Sequence, residues 1–141
     1  MNIFLDTSTL IKLYFFEEGT IALETFLSKN DINFIFLSEI ANLEFESTLW
    51  KKVRTKELEE KNALASIEAF ENDKNKFKFI PINNGILLTA RVLISKYGKN
   101  GLRTLDSIQL SSCIEVKDLT NKYFTSDKTL LDIFSQENLP I

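Results

Sequence analysis

Near the start of the chain lies Asn2-Ile3-Phe4-Leu5-Asp6-Thr7-Ser8-Thr9, an apolar run that meets an aspartate and then three hydroxyl residues. The apolar run 2–5 predicts a strand buried on both faces, which is typical of parallel sheets. The hydroxyl residues 7–9 predict the cap of a helix over 10–16. An aspartate directly after buried apolar residues costs stability unless a cation pairs it, so Asp6 is the first candidate functional residue.

The rest of the chain repeats this alternation of strand and helix. Further strands are predicted at 34–37, 77–80, 123–125 and 139–141, and helices at 20–28, 39–53, 55–70, 84–97, 104–116 and 127–134. Parallel strands need a crossover connection, usually a helix, between them. The order therefore predicts a single α/β domain over 1–141, a sandwich around a mostly parallel sheet.

The composition is that of a globular protein, with 44% hydrophobic and 26% charged residues among 141. No apolar run approaches the roughly 20 residues that span a bilayer, and Asp6 interrupts the apolar start where a signal peptide would continue. We therefore expect a soluble, cytoplasmic protein that does not associate with membranes. The single cysteine, Cys113, excludes an internal disulfide.

The sequence contains no histidine, which removes the commonest kinds of catalytic site. Ser-His-Asp triads, Cys-His pairs and histidine metal sites are excluded. The four glycines form neither of the common phosphate-binding motifs. A net charge of −3 and a pI near 5.1 argue against a general positive field that would hold nucleic acid. An enzyme with this composition would work through Asp and Glu, with hard metal ions that prefer oxygen ligands.

Three aspartates fall where open α/β sheets bind ligands, beyond the carboxyl ends of strands and beside helix N-termini. Asp6 ends the first predicted strand and Asp127 follows the strand 123–125. Asp106 lies in the first turn of the helix 104–116. Aspartate also caps helices and favours the positive end of the helix dipole, so a purely structural role stays open for each.

A fourth carboxylate can come from the predicted helix 39–53. Glu39 and Glu46 share one side of this helix by their spacing, whereas Glu44 lies roughly opposite. Apolar residues occur nearly all round the helix. Its periodicity therefore does not decide which glutamate faces the sheet.

Four segments of the chain resemble the PIN-domain ribonucleases, and especially the small toxins of VapBC-type toxin–antitoxin pairs. They are Phe4–Ser8, Ser38–Lys52 with Glu44 inside it, Leu102–Leu110 (Leu-Arg-Thr-Leu-Asp-Ser-Ile-Gln-Leu) and Phe124–Leu130 (Phe-Thr-Ser-Asp-Lys-Thr-Leu). Leu-Arg-Thr-Leu-Asp followed about twenty residues later by Thr-Ser-Asp is the most specific part. The resemblance spans nearly the full length and implies a PIN-like three-layer α/β/α sandwich.

The same resemblance implies endonucleolytic cleavage of RNA by water activated on Mg²⁺ or Mn²⁺. The implied acidic site consists of Asp6, Glu44, Asp106 and Asp127. Asp6 and Asp106 would bind the metal directly, whereas Glu44 and Asp127 would bind it directly or through water. Asp127 occupies the most variable of the four family positions. Four converging carboxylates repel one another unless a hard cation neutralises them.

Other residues in the matching segments are expected to support the site. Thr7, Ser8 and Thr125 would donate hydrogen bonds to the carboxylates, or serve only as helix caps. Arg103 would contact a phosphate of the substrate, or remain a surface arginine. Gln109 stands where relatives often carry histidine, and we expect it to be neutral for catalysis.

The resemblance also implies two partners, an RNA substrate and an antitoxin protein, and either a homodimer or a toxin–antitoxin hetero-oligomer. The helices 20–28 and 39–53 carry more large apolar residues than one sheet-facing stripe requires. These residues include Phe26, Phe45, Leu49 and Trp50. We expect part of this surface to form a groove for an amphipathic antitoxin helix, with a basic residue entering the acidic site. The aromatic residues can instead fill the core between helices and sheet.

Two other functions compete with this interpretation. A PIN fold without catalysis would act as a binding module through protein or RNA contacts. An aspartyl-phosphate phosphatase or receiver domain also places an aspartate after its first strand. Such proteins need a further acidic residue beside that aspartate, and Thr7-Ser8 after Asp6 supplies none.

Overall fold

The computed structural model describes residues 1–141 and contains four strands and seven α-helices. In chain order they are β1 (Asn2–Leu5), α1 (Thr7–Leu10), α2 (Thr20–Lys29), β2 (Phe34–Ser38), α3 (Ala41–Arg54), α4 (Glu60–Asp73), β3 (Phe77–Ile80), α5 (Asn84–Tyr97), α6 (Thr104–Glu115), β4 (Lys122–Phe124) and α7 (Lys128–Gln136). None of the helices combines the length and apolar character that crossing a membrane requires.

The four strands form one sheet in the order β3-β2-β1-β4, and every neighbouring pair is parallel. Ile3 pairs with Ile35 of β2, and Leu5 pairs with Phe124 of β4. The chain adds β2 and β3 on one side of β1 and then crosses to place β4 on the other side. The strand order therefore reverses at β1, and ligands of open α/β sheets bind beyond the carboxyl ends of the strands at such a point.

Helices cover both faces of the sheet, because successive side chains of β1 enter two different cores. Phe4 packs with Leu110 of α6 in one core, whereas Ile3 and Leu5 pack with Leu49 of α3 in the other. All five side chains are fully buried. Burial of each contributes about 1.5–3 kcal/mol relative to exposure. This two-sided burial confirms the predicted three-layer α/β/α sandwich with a parallel central sheet.

The prediction of an apolar groove on the second and third helices is wrong for two of its residues. Phe45 and Leu49 are buried core residues, so they fill the space between helices and sheet. Phe26 is half-buried and packs edge-on against Phe124, with ring centroids 5.0 Å apart. Trp50 is half-buried against the same core. The core-filling alternative therefore holds for Phe45 and Leu49.

The first helix begins earlier and ends sooner than predicted. Instead of a helix over 10–16, α1 spans Thr7–Leu10 and continues as a 3-10 turn at Ile11–Leu13. The reason is that Asp6, not one of the hydroxyl residues, is the N-cap, and its Oδ1 accepts from the backbone N–H of Thr9 at 2.9 Å. An N-cap at position 6 places the helix three residues closer to the strand.

Two other predicted elements differ from the structure. The helix predicted from Thr55 begins at Glu60, because Thr55 is the C-cap of α3 and Lys56 adopts a left-handed φ of 61°. Residues 139–141 form no strand. Pro140 accepts one hydrogen bond, from the backbone N–H of Tyr123 at 2.7 Å, but proline has no N–H to continue a ladder.

Candidate active site

Three of the four predicted carboxylates line one cleft beyond the carboxyl ends of β1 and β4. Glu44 lies on α3, Asp106 lies in the first turn of α6, and Asp127 immediately precedes α7. The cleft has a volume of about 540 Å³, and Arg103, Thr104 and Leu105 complete its lining. Residues that are more than 80 positions apart in the sequence therefore meet at one edge of the sheet.

Asp6 lies beside this cleft without lining it, and its side chain is 4% exposed. Its Oδ1 accepts from Ser8 Oγ at 2.7 Å and from the backbone N–H of Thr9, and its Oδ2 accepts from Thr125 Oγ1. Thr125 Oγ1 also accepts from the backbone N–H of Asp127 at 3.1 Å, which connects Asp6 to the cleft wall. Burial raises the pKa of Asp6, and these hydrogen bonds oppose the rise.

One carboxylate oxygen of Glu44 is hydrogen-bonded within the protein and the other is not. Its Oε1 accepts from Thr7 Oγ1 at 3.0 Å and from Gln109 Nε2 at 2.8 Å, whereas its Oε2 receives no hydrogen bond from the chain. Burial raises the pKa of Glu44, and the negative charge of Asp106 raises it further. The hydrogen bonds from Gln109 and Thr7 oppose that rise, because they stabilise the carboxylate.

Asp106 and Asp127 repel each other across the cleft. Burial raises the pKa of Asp106 and the charge of Asp127 adds to this, while Arg103 acts in the opposite direction. Asp127 is also the N-cap of α7, where its Oδ1 accepts from the backbone N–H of Leu130 at 2.8 Å. The site therefore gathers more negative charge than it balances internally.

The structure shows which of the three glutamates in the predicted helix 39–53 reaches the cleft. Glu39 is exposed and accepts from the backbone N–H of Ile82 at 2.9 Å. Glu46 is exposed and lies 3.4 Å from the indole nitrogen of Trp50. Glu44 alone of the three lines the cleft.

Gln109 belongs to the hydrogen-bond network of this site, a role that its place in the sequence did not predict. Gln109 is 3% exposed and donates through Nε2 to Thr7 Oγ1 at 2.9 Å as well as to Glu44. Its spacing could have indicated this position. Residues three apart on a helix are neighbours, and Gln109 follows the candidate Asp106 by three residues. The structure also directs Thr7 to Glu44 rather than to the adjacent Asp6.

The donor set of the cleft fits a hard divalent cation. No group of three or more carboxylates stands in an arrangement that would coordinate a metal directly. Mg²⁺ does not require one, because it usually retains several waters and binds one or two carboxylates. Every available ligand is an oxygen, and a cation would relieve the repulsion that, after burial, raises the pKa of Glu44 and Asp106. Direct ligation by Asp6 and Asp106 stays a prediction.

An apolar groove of about 350 Å³ adjoins the acidic cleft and shares Glu44 and Leu105 with it. Its other lining residues are Ile40, Leu43, Ser47 and Thr48. Leu43 is 70% exposed and Leu105 is 48% exposed. Two large apolar side chains therefore face solvent at the edge of a charged site.

A family model described as "PIN domain" matches residues 3–133. Among solved structures, Mycobacterium tuberculosis VapC20, a sarcin–ricin loop cleaving toxin, aligns with a TM-score of 0.71 at 11% identity, over 93% of this chain and 94% of that one. VapBC-1 from nontypeable Haemophilus influenzae aligns with a TM-score of 0.67 at 16% identity, over 96% and 94%. No curated protein matches the sequence. These structures share the fold, and because the family model covers almost the whole chain, the protein belongs to the PIN domain family.

Proposed function

We propose that this protein is a metal-dependent endoribonuclease and the toxin of a toxin–antitoxin pair. The observation that carries the proposal is the meeting of Glu44, Asp106 and Asp127 in one cleft, with Arg103 beside them, in a chain of the PIN domain family. The toxin assignment is supported by the structural likeness to VapC20 and VapBC-1.

The residues of the cleft would have different roles in phosphodiester hydrolysis. A bound Mg²⁺ or Mn²⁺ would lower the pKa of a water and stabilise the charge on the leaving oxygen. Asp106 and Asp127 offer carboxylate oxygens at the cleft wall to hold the cation, with Asp6 beside them. Glu44 Oε2 is free, and the raised pKa of this carboxyl suits it to accept a proton from the attacking water.

Arg103 is the one cation that lines the acidic cleft. A guanidinium binds phosphate oxygens with two parallel hydrogen bonds, so Arg103 would orient the scissile phosphate. The chain as a whole carries a net charge of −3, so general attraction for RNA is weak. The resemblance to PIN-domain ribonucleases and the likeness to VapC20, a sarcin–ricin loop cleaving toxin, lead us to propose a single-stranded loop of structured RNA as the substrate, since its unstacked bases are open to direct contact.

The apolar groove beside the cleft is the proposed site for the antitoxin partner. An amphipathic helix could place apolar side chains against Leu43 and Leu105, which are exposed there. The groove shares Glu44 with the cleft, so a basic residue at the end of such a helix would reach the carboxylates. This location replaces the one predicted at Phe45 and Leu49.

Cleavage of a structured RNA by the purified protein tests the proposed activity. We expect cleavage with Mg²⁺ or Mn²⁺, loss of cleavage with EDTA, and poor support by Zn²⁺, because no histidine and only one cysteine are present to select zinc. Glu44→Gln should reduce the rate by about 100-fold or more. Persistent cleavage in excess chelator would contradict metal dependence.

Glu46→Gln is the matched control for Glu44→Gln. Both replace a carboxylate by an amide on α3, but Glu46 is exposed and lies outside the cleft. We expect its rate within about twofold of the unmodified protein, because substitutions on exposed surface change stability little. Equal losses in the two variants would place the site elsewhere. No cleavage of any RNA by the unmodified protein with Mn²⁺ would favour the catalytically inactive binding module.

A further inference from the structure

Gln109, Thr7 and Glu44 form a closed ring of hydrogen bonds that joins α6, α1 and α3. Gln109 Nε2 donates to Thr7 Oγ1 at 2.9 Å and to Glu44 Oε1 at 2.8 Å, and Thr7 Oγ1 donates to the same Glu44 oxygen at 3.0 Å. Both hydrogens of the amide nitrogen are used. The orientation of the amide is fixed by chemistry, because a carboxylate only accepts and the reverse orientation would bring two oxygens together.

The ring acts on one oxygen of Glu44 and leaves the other free. Oε1 accepts two hydrogen bonds, whereas Oε2 has no partner in the chain. A glutamate side chain has three rotatable bonds, and an unrestrained one samples many orientations at an exposed cleft. Two donors on Oε1 restrain the carboxylate and leave Oε2 as the oxygen that Glu44 can offer to the cleft it lines.

The amide oxygen of Gln109 adds a cost in stability to this arrangement. Gln109 Oε1 is buried and has no hydrogen-bond partner. An unpaired buried polar atom costs stability, and an apolar side chain of similar length would avoid that cost. Gln109 therefore donates two hydrogen bonds at the acidic site at the cost of one unpaired buried oxygen.

We propose that Gln109 is a positioning residue that holds Glu44 by Oε1 so that only Oε2 faces the bound cation and the attacking water. The inference rests on the proposed function in taking Glu44 to act on a cation in the cleft. It reverses the expectation that position 109 is neutral. The competing explanation is that Gln109 only fastens three helices together, in which case its replacement would lower stability and leave cation binding unchanged in the folded protein.

The test compares Mn²⁺ binding and RNA cleavage in variants of the full chain. Gln109→Met keeps the length of the side chain, removes both donors and removes the unpaired oxygen. We expect it to remain folded with a somewhat lower melting temperature, because Glu44 and Thr7 each lose a hydrogen bond, while its Mn²⁺ affinity, measured by electron paramagnetic resonance titration, falls by roughly 10–100-fold. The Mn²⁺ concentration for half-maximal cleavage should rise in parallel. Gln109→His restores an N–H donor and should recover most of the affinity.

Ser111→Ala is the matched control on the same helix. Ser111 is buried and donates to the backbone oxygen of Ile86, away from Glu44. We expect unchanged Mn²⁺ affinity in this variant. If Gln109→Met does not fold, Gln109→Asn takes its place, because it is shorter by one methylene and withdraws the N–H from Glu44. Mn²⁺ affinity equal to that of the unmodified protein in a folded Gln109 variant overturns the proposal.

The two readouts separate this inference from the proposed function. Mn²⁺ binding that depends on Gln109, in a protein that cleaves no RNA, would support the positioning role and reject the ribonuclease. Metal-dependent cleavage that is indifferent to Gln109→Met would support the ribonuclease and reject the positioning role. An unmodified protein that neither binds Mn²⁺ nor cleaves RNA would overturn both.

Discussion

Asp106 is the residue at which the electrostatic cost of the acidic site can be measured most directly. It is half-buried, it faces Asp127, and both effects raise its pKa. Because the pKa in the folded protein lies above that in the unfolded chain, the folded protein binds this proton more tightly. The free energy of unfolding therefore falls as pH rises from the ordinary aspartate range through the raised pKa.

Asp106→Asn removes this cost, so the variant should be more stable than the unmodified protein at about pH 7.5 in EDTA. The difference should shrink near pH 4, the ordinary pKa of aspartate, where Asp106 takes up its proton. Urea unfolding at the two pH values measures it. Cleavage by Asp106→Asn should fall by about 100-fold or more. A variant that is less stable at both pH values would instead show that the charge of Asp106 mainly stabilises the positive end of the α6 dipole.

Asp127 has a structural task in α7 and a proposed task in the cleft, and two variants separate them. Asn is as good an N-cap as Asp, whereas Ala costs about 1 kcal/mol, or roughly 3 °C in Tm. We therefore expect only Asp127→Ala to lower Tm. Both variants remove the charge, so both should lower Mn²⁺ affinity and shift the pKa of Asp106 toward its ordinary value.

Thermal unfolding measures the capping role of Asp127 in the two variants, and Mn²⁺ titration measures its role in cation binding. Full Mn²⁺ affinity in both would restrict Asp127 to capping. This outcome would leave Asp106 and Glu44 as the carboxylates that bind the cation in the cleft.

At the level of elements, the sequence predicted most strands and helices because their periodicities are local. β1 and α5 appear at their predicted positions. The start of α1 was misplaced because several adjacent residues can cap a helix, and the choice of Asp6 depends on the hydrogen bonds that Ser8 and Thr125 make to it. The choice of Glu44 on α3 also required tertiary structure, since apolar residues surround that helix.

At the scale of the whole molecule, the reversal of strand order at β1 assembles the site. The reversal puts β4, which ends just before Thr125 and Asp127, beside β1, which ends just before Asp6. Helices on both faces then bring Glu44 and Asp106 to the same edge. Residue types and the resemblance predicted the acidic residues, but the ring at Gln109 could not be predicted, because it joins three helices that are distant in sequence.

The apolar groove makes a prediction about the assembled state, because whatever fills it must also cover Glu44. Leu43 is 70% exposed, so Leu43→Ala should change the free energy of unfolding by less than about 0.5 kcal/mol. We expect it to weaken binding of the protein encoded next to this one by about tenfold, as loss of an apolar anchor does. RNA cleavage should be unchanged.

Leu88→Ala is the control, since Leu88 is 56% exposed on α5, which contributes nothing to the groove. Calorimetric titration of each variant with the co-purified partner gives the affinities. Loss of affinity in Leu88→Ala alone would move the partner to α5. Unchanged affinity in both would remove the groove from the interface. Loss in Leu43→Ala alone, with cleavage restored when the partner is displaced, would mean that the partner inhibits by covering the carboxylates.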